Sequence, residues 1–140
     1  MEIIRVPLSG AENGVAVIPL SVDRQTLAKR RWRGVAGDGR EFGFDLEHAL
    51  HDGEAFFRGD AGIYVVSQQP EEVFEVPLGT PAESARLAWM IGNLHFSLQV
   101  AGDVIRVPAD EALRQMFVRE KVAFTESRNV FHSFHHAHVH

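Results

Sequence analysis

The stretch Val73–Val107 reads VFEVPLGTPAESARLAWMIGNLHFSLQVAGDVIRV, and its punctuation decides the fold. Val73 to Pro77 has the composition of a strand, and Gly79-Thr80 breaks it. Thr80 and Glu83 stand at capping-box spacing, where two side chains satisfy the free backbone N–H groups of a helix start. Pro81 falls at the first helical position, where its missing N–H costs nothing. The pattern predicts a helix from there to about Ile91, closed by Gly92 as the left-handed C-terminal cap. Leu94, Phe96, Leu98 and Val100 then alternate with His95, Ser97 and Gln99, which is the period of a strand. Ala101-Gly102-Asp103 turns the chain into a further strand, Val104 to Val107.

Asp110 to Glu120 continues as a second helix burying Leu113, Met116 and Phe117, and Val122-Ala123-Phe124 reads as a last strand. The order βαββαβ is the ferredoxin-like arrangement, with both helices on one face of the sheet. Toward the N-terminus, Val15 to Ile18, Glu41 to Leu46, Glu54 to Phe57 and Ile63 to Ser67 are candidate strands. Gly37-Asp38-Gly39, Asp52-Gly53 and Gly59-Asp60-Ala61-Gly62 supply turn chemistry between them. Short strands at this spacing predict a small sandwich or barrel. The polar, proline-bearing Gln68-Gln69-Pro70-Glu71-Glu72 marks a boundary. The expectation is an α+β chain: a small β-rich N-terminal domain at 1–70, a ferredoxin-like C-terminal domain at 71–127, and a flexible histidine-rich tail at 128–140.

A formal net charge of −5 argues against nucleic acid as a partner, because such binding needs a basic stripe. Met1-Glu2-Ile3-Ile4-Arg5 does not begin a secretory signal, and no apolar run approaches the roughly 20 residues that span a bilayer, so a cytoplasmic location without membrane association is expected. The chain has no cysteine, so any metal must be held by nitrogen and oxygen. It has no His-Glu-x-x-His motif, no Gly-x-Ser-x-Gly elbow and no phosphate-binding glycine loop, so nothing points to an enzyme.

Histidine is the unusual component: five of eight, namely His132, His135, His136, His138 and His140, fall in the last nine residues. Imidazole suits nickel, zinc and copper, and serine, phenylalanine, alanine and valine interrupt the run, unlike a purification tag. His95, on a strand whose even-numbered residues are apolar, is expected to point to the open sheet face. One imidazole is too few for a tight site, but a two-fold dimer would set two copies on its axis, with tail histidines as further donors. His48 and His51, three apart before a turn, read as exposed loop residues.

Gly92-Asn93-Leu94-His95 resembles the Gly-Asn-x-His segment of UreE, the nickel-delivering urease accessory family. The β-rich first half, with Asp38-Gly39-Arg40-Glu41 and Phe44-Asp45-Leu46 before Asp52-Gly53, and the histidine-bearing C-terminus resemble the family in the same order. The resemblance implies a homodimer through the ferredoxin-like domains, with Ni(II) bound at the interface by His95 of both subunits and further ligands from the tail. It also implies an N-terminal domain that contacts urease apoprotein and other urease accessory proteins. Zn(II) or Cu(II) would compete in vitro. Many relatives carry extra histidines where the second helix begins, whereas this chain has Val107-Pro108-Ala109-Asp110-Glu111. The alternatives are a nickel or zinc buffer or sensor without a urease client, a metal-dependent hydrolase, and a pure protein-interaction module.

Overall fold

The computed structural model describes residues 1–9 and 14–133. The chain divides into two compact units, Met1–Gln69 and Pro70–His140.

The first unit holds β1 (Glu2–Ile4), β2 (Val17–Val22), α1 (Arg24–Leu27), β3 (Arg31–Val35), β4 (Glu41–Asp45), β5 (Ala55–Gly59) and β6 (Gly62–Gln68). They form two three-stranded sheets, ordered β1-β4-β3 and β2-β6-β5. Aromatic rings fill the core: Trp32 stacks on Phe44 at 4.0 Å, and Phe42 meets Phe56 edge-on at 5.0 Å. Gly62 is required where β6 starts, because a Cβ there would sit 2.3 Å from the Ala16 carbonyl oxygen. The Tyr64 hydroxyl donates to Asp38, whose other carboxylate oxygen accepts the Arg40 N–H and so ties the β3–β4 turn. That hydroxyl bond holds the Asp38 carboxyl below its ordinary pKa, and the same bond raises the Tyr64 phenol. The expected strand at 15–18 lies instead at Val17–Val22, while β1, α1 and β3 are elements that the pattern does not announce. Arg31-Trp32-Arg33-Gly34-Val35 has too few apolar positions to read as a strand, and it becomes one by pairing with β4.

The second unit holds β7 (Glu71–Pro77), α2 (Pro81–Asn93), β8 (Gln99–Ala101), β9 (Val104–Pro108), α3 (Glu111–Arg119) and β10 (Thr125–Asn129). The sheet order β10-β7-β9-β8 is wholly antiparallel, which is the ferredoxin-like topology expected. Phe74, Val76, Ile105 and Val107 face the helices and pack with Leu87, Ile91, Leu113, Met116 and Phe117. The Thr80 hydroxyl accepts the Glu83 N–H at 3.1 Å and Pro81 opens α2, as the sequence requires.

Three boundaries differ from expectation. Gly92 does not cap α2 but lies inside it. The strand expected from Leu94 to Val100 shrinks to Gln99–Ala101, because residues 94–98 form the helix exit. The last strand is Thr125–Asn129 rather than 122–124, since Val122 and Phe124 pack against the core before the strand begins. β10 therefore crosses the expected tail boundary at residue 127, and Phe131 beyond it is fully buried.

Candidate metal centre

His95 sits at the end of α2 because of how that helix stops. The His95 N–H donates to the Gly92 carbonyl at 2.9 Å, and the Phe96 N–H donates to the Ile91 carbonyl at 3.3 Å. These two reversed bonds make a Schellman stop, which forces the residue after the cap into the left-handed region. That residue is His95, with φ at 66°, and Phe96 turns in against the core that holds Ile91. α3 stops the same way, with Lys121 at φ 57° and the Val122 N–H bonded to the Phe117 carbonyl at 2.8 Å.

His95 is therefore not on a strand, and its direction does not come from β alternation. It is an exposed side chain on a tight turn. Beside it on the same helix end lie Trp89, which is 68% exposed, and Leu94.

The sheet face away from the helices carries a polar chain. Glu75, Arg106 and Gln99 are register partners on three adjacent strands, alternating with the helix-facing Phe74, Val76, Ile105 and Val107. Arg106 grips Glu75 Oε2 with two nitrogens at 2.8 and 2.9 Å, and the Ser127 hydroxyl donates to Glu75 Oε1 at 3.1 Å. The third Arg106 nitrogen donates to Gln99 Oε1 at 3.4 Å and to the Val130 carbonyl at 3.2 Å. Gln99 Oε1 also accepts the His132 backbone N–H at 3.0 Å. Residues 130–132 thus cross from the β10 edge of the sheet to the β8 edge.

Of the six histidines singled out, His95 and His132 are exposed and belong to the same unit. His135, His136, His138 and His140 lie outside the described residues. No three histidine or carboxylate side chains converge into a metal-holding group among the described residues. His48 and His51 are exposed in the loop between β4 and β5, and the His51 N–H donates to Glu54 Oε1 at 3.0 Å. At the start of α3, Asp110 Oδ1 caps the Ala112 N–H at 2.8 Å and Glu111 faces Arg114 at 3.4 Å, so both carboxylates already have structural partners. Sequence reading missed Glu75, Arg106 and Gln99. The available signal was two opposite charges and an amide on the polar face of strands whose other face is apolar.

Fold and site define a class: a two-unit α+β chain whose ferredoxin-like unit presents a histidine from the exit of its first helix. Residues 71–140 match the family described as UreE urease accessory protein, C-terminal domain. The chain is similar to the urease accessory protein UreE of Bifidobacterium longum subsp. infantis, with 31% identity over 70% of this chain and 44% of that protein. It is 31% identical to the UreE of Beijerinckia indica over 75% of this chain and 61% of the relative. With the UreE of Chelativorans sp. the identity is 28% over 86% and 87% of the two chains. The chain belongs to the UreE urease accessory protein family. It covers only about half to three fifths of the length of the first two relatives. No helix among the described residues is long and apolar enough to cross a membrane.

Proposed function

We propose that this chain is a nickel metallochaperone, a non-enzymatic cytoplasmic homodimer that carries Ni(II) as cargo and delivers it for urease active-site assembly. The observation that carries the reading is His95 itself. A left-handed backbone favours glycine or asparagine and costs a side-chain-bearing residue roughly 1–2 kcal/mol. Lys121 shares this backbone at the α3 stop, so what singles out His95 is an exposed imidazole held by a rigid helix exit, in a backbone region often kept for function.

The surface around His95 supports a two-fold partner. Ala82, Ala85, Trp89 and Gly92 follow one another at helical spacing, and all four are exposed. Gly92 costs the helix about 1 kcal/mol relative to alanine, yet a Cβ there would meet nothing within 4 Å. Among the described residues no neighbour requires that glycine, whereas a second copy packed on the α2 face would. An isologous contact at this face brings two His95 side chains to one axis. His132, His135, His136, His138 and His140 then complete the coordination sphere and release the ion on transfer. The β-rich unit is left to contact urease apoprotein and the other accessory proteins. Zn(II) and Cu(II) compete in vitro because nitrogen donors do not discriminate strongly among late first-row ions.

Metal analysis of the untagged chain, with mass measured in solution before and after nickel is added, tests the proposal. One or two Ni(II) per dimer is expected, and His95→Ala should abolish the tightest site. Unchanged nickel affinity in His95→Ala would refute the interface site. Transfer of bound nickel to apo-urease separates delivery from a buffer or sensor, which would retain the metal.

A further inference from the structure

We infer that the Glu75–Arg106–Gln99 chain is a positioning clamp that anchors the C-terminal segment at the β8 edge of the sheet, next to the His95 turn. Its consequence for metal binding rests on the nickel reading above, but the anchor itself does not.

Each link is a hydrogen bond or an ion pair. The Arg106 and Glu75 side chains are only 13% and 18% exposed, so their pairing is shielded and geometrically strict. From that fixed point Arg106 holds the Val130 carbonyl, and Gln99 holds the His132 N–H. Phe131, between them, is fully buried, as is Val73 on the same sheet face as Glu75, and neither belongs to the helix-side core. The bonds alternate along the segment: a carbonyl held, a ring buried, an N–H held. Such spacing fixes where residues 130–132 lie.

The position matters because of what lies at each edge. Strands are spaced about 4.8 Å apart, so crossing from β10 to β8 moves the tether point by about 14 Å. Gln99 is four residues from His95, so their Cα atoms are at most about 14 Å apart. A histidine-bearing segment that starts at His132 thus starts within a few residues' reach of His95. Released from the clamp, the same segment would start at Asn129 on the far edge. The connection to His135 would lengthen from three residues to six. Effective concentration falls as about the −3/2 power of connecting length, which gives a loss of about threefold before the shift in tether position is added.

The test uses the full chain, and the absence of native cysteine makes site-specific labelling simple. A nitroxide on Ser133→Cys should broaden the amide signals of residues 95–101 in metal-free protein. Glu75→Met/Arg106→Met/Gln99→Leu, which removes the ion pair as a pair and leaves no buried charge behind, should abolish that broadening. Gln99→Leu alone keeps the ion pair and should weaken it, which guards against a triple variant that fails to fold. Unchanged broadening in the folded triple variant overturns the clamp. In nickel titrations the triple variant should bind about three- to tenfold more weakly than the parent. In chains that end at Ser133 and also carry His132→Ala, the same substitutions should change nothing. An equal loss with and without the tail histidines would mean that the substitutions act on the fold or on His95 directly, and would overturn the positioning role. If the parent chain binds no nickel, the metal reading falls and the nitroxide result alone decides the anchor.

Discussion

Replacing His95 by glycine should make the protein more stable and abolish the nickel binding proposed for it. Relief of the left-handed backbone at φ 66° is worth about 1–2 kcal/mol. The greater freedom of glycine in the unfolded chain takes back about 0.4–1 kcal/mol. The net gain is about 0.5–1 kcal/mol, and for a unit of this size each kcal/mol raises Tm by about 4–8 °C. A rise of about 4 °C is therefore expected for the second unit in scanning calorimetry, at fixed protein concentration and with chelator present. His95→Asn should fall between wild type and glycine, and His95→Ala should gain nothing, because alanine keeps the Cβ that the backbone disfavours. Lys121, at φ 57° in the matching stop of α3, is the internal control. Lys121→Gly should stabilise by a similar amount and leave nickel affinity intact, whereas His95→Gly should lose the tightest nickel site. A melting temperature for His95→Gly no higher than that of His95→Ala would rule out relief of the left-handed backbone.

Three further outcomes follow from the same geometry. Ending the chain after Ser127 removes two of the five residues of β10 and the buried Phe131, a loss of at least the about 3–5 kcal/mol of a buried Phe→Ala change, so the second unit should lose its cooperative melt. Tyr64→Phe should lower urea stability across the neutral range. Asp38 is depressed from 3.8 by the Tyr64 hydroxyl, so the deficit should shrink as pH falls through its lowered value. Tyr64 is raised from 10.0 by Asp38, so the gap should also close as pH rises through its raised value. A deficit that stays constant into acid would exclude the Asp38 bond as its source. Nickel affinity measured by calorimetry should be weaker at pH 5.5 than at pH 7.5, since ligating imidazoles must shed a proton whose reference pKa is roughly 6.5. Equal affinity at the two values would exclude imidazole ligation.

The second unit was the more legible half because its signals are local. Thr80, Pro81 and Glu83 start a helix whatever surrounds them, and Leu113, Met116 and Phe117 share a face at helical spacing. The misreading at His95 has an equally physical origin. Leu94, Phe96 and Leu98 alternate, but Leu94 caps a helix, and Phe96 and Leu98 pack on the core as the chain leaves it. Period two is necessary for a half-buried strand and not sufficient for one. Gly92 looked like the stop because glycine is favoured there; the helix ran one residue past it and made histidine take the left-handed position instead. In the first unit β3 was invisible because its strand character comes from β4 rather than from its own residues.

By itself, the sequence determined the βαββαβ order, the absence of thiolate ligands, the concentration of imidazole over residues 132–140 and the Gly92-Asn93-Leu94-His95 segment that carries the resemblance. These depend on neighbours in the chain and on composition. Only the tertiary structure decided that His95 occupies a strained, exposed turn and that the chain beyond β10 runs back across the sheet to Gln99. A Schellman stop and an Arg–Glu pair joining residues 31 apart are settled by where the helix finally meets the core and which strands become neighbours. No local pattern encodes either, because both are consequences of packing.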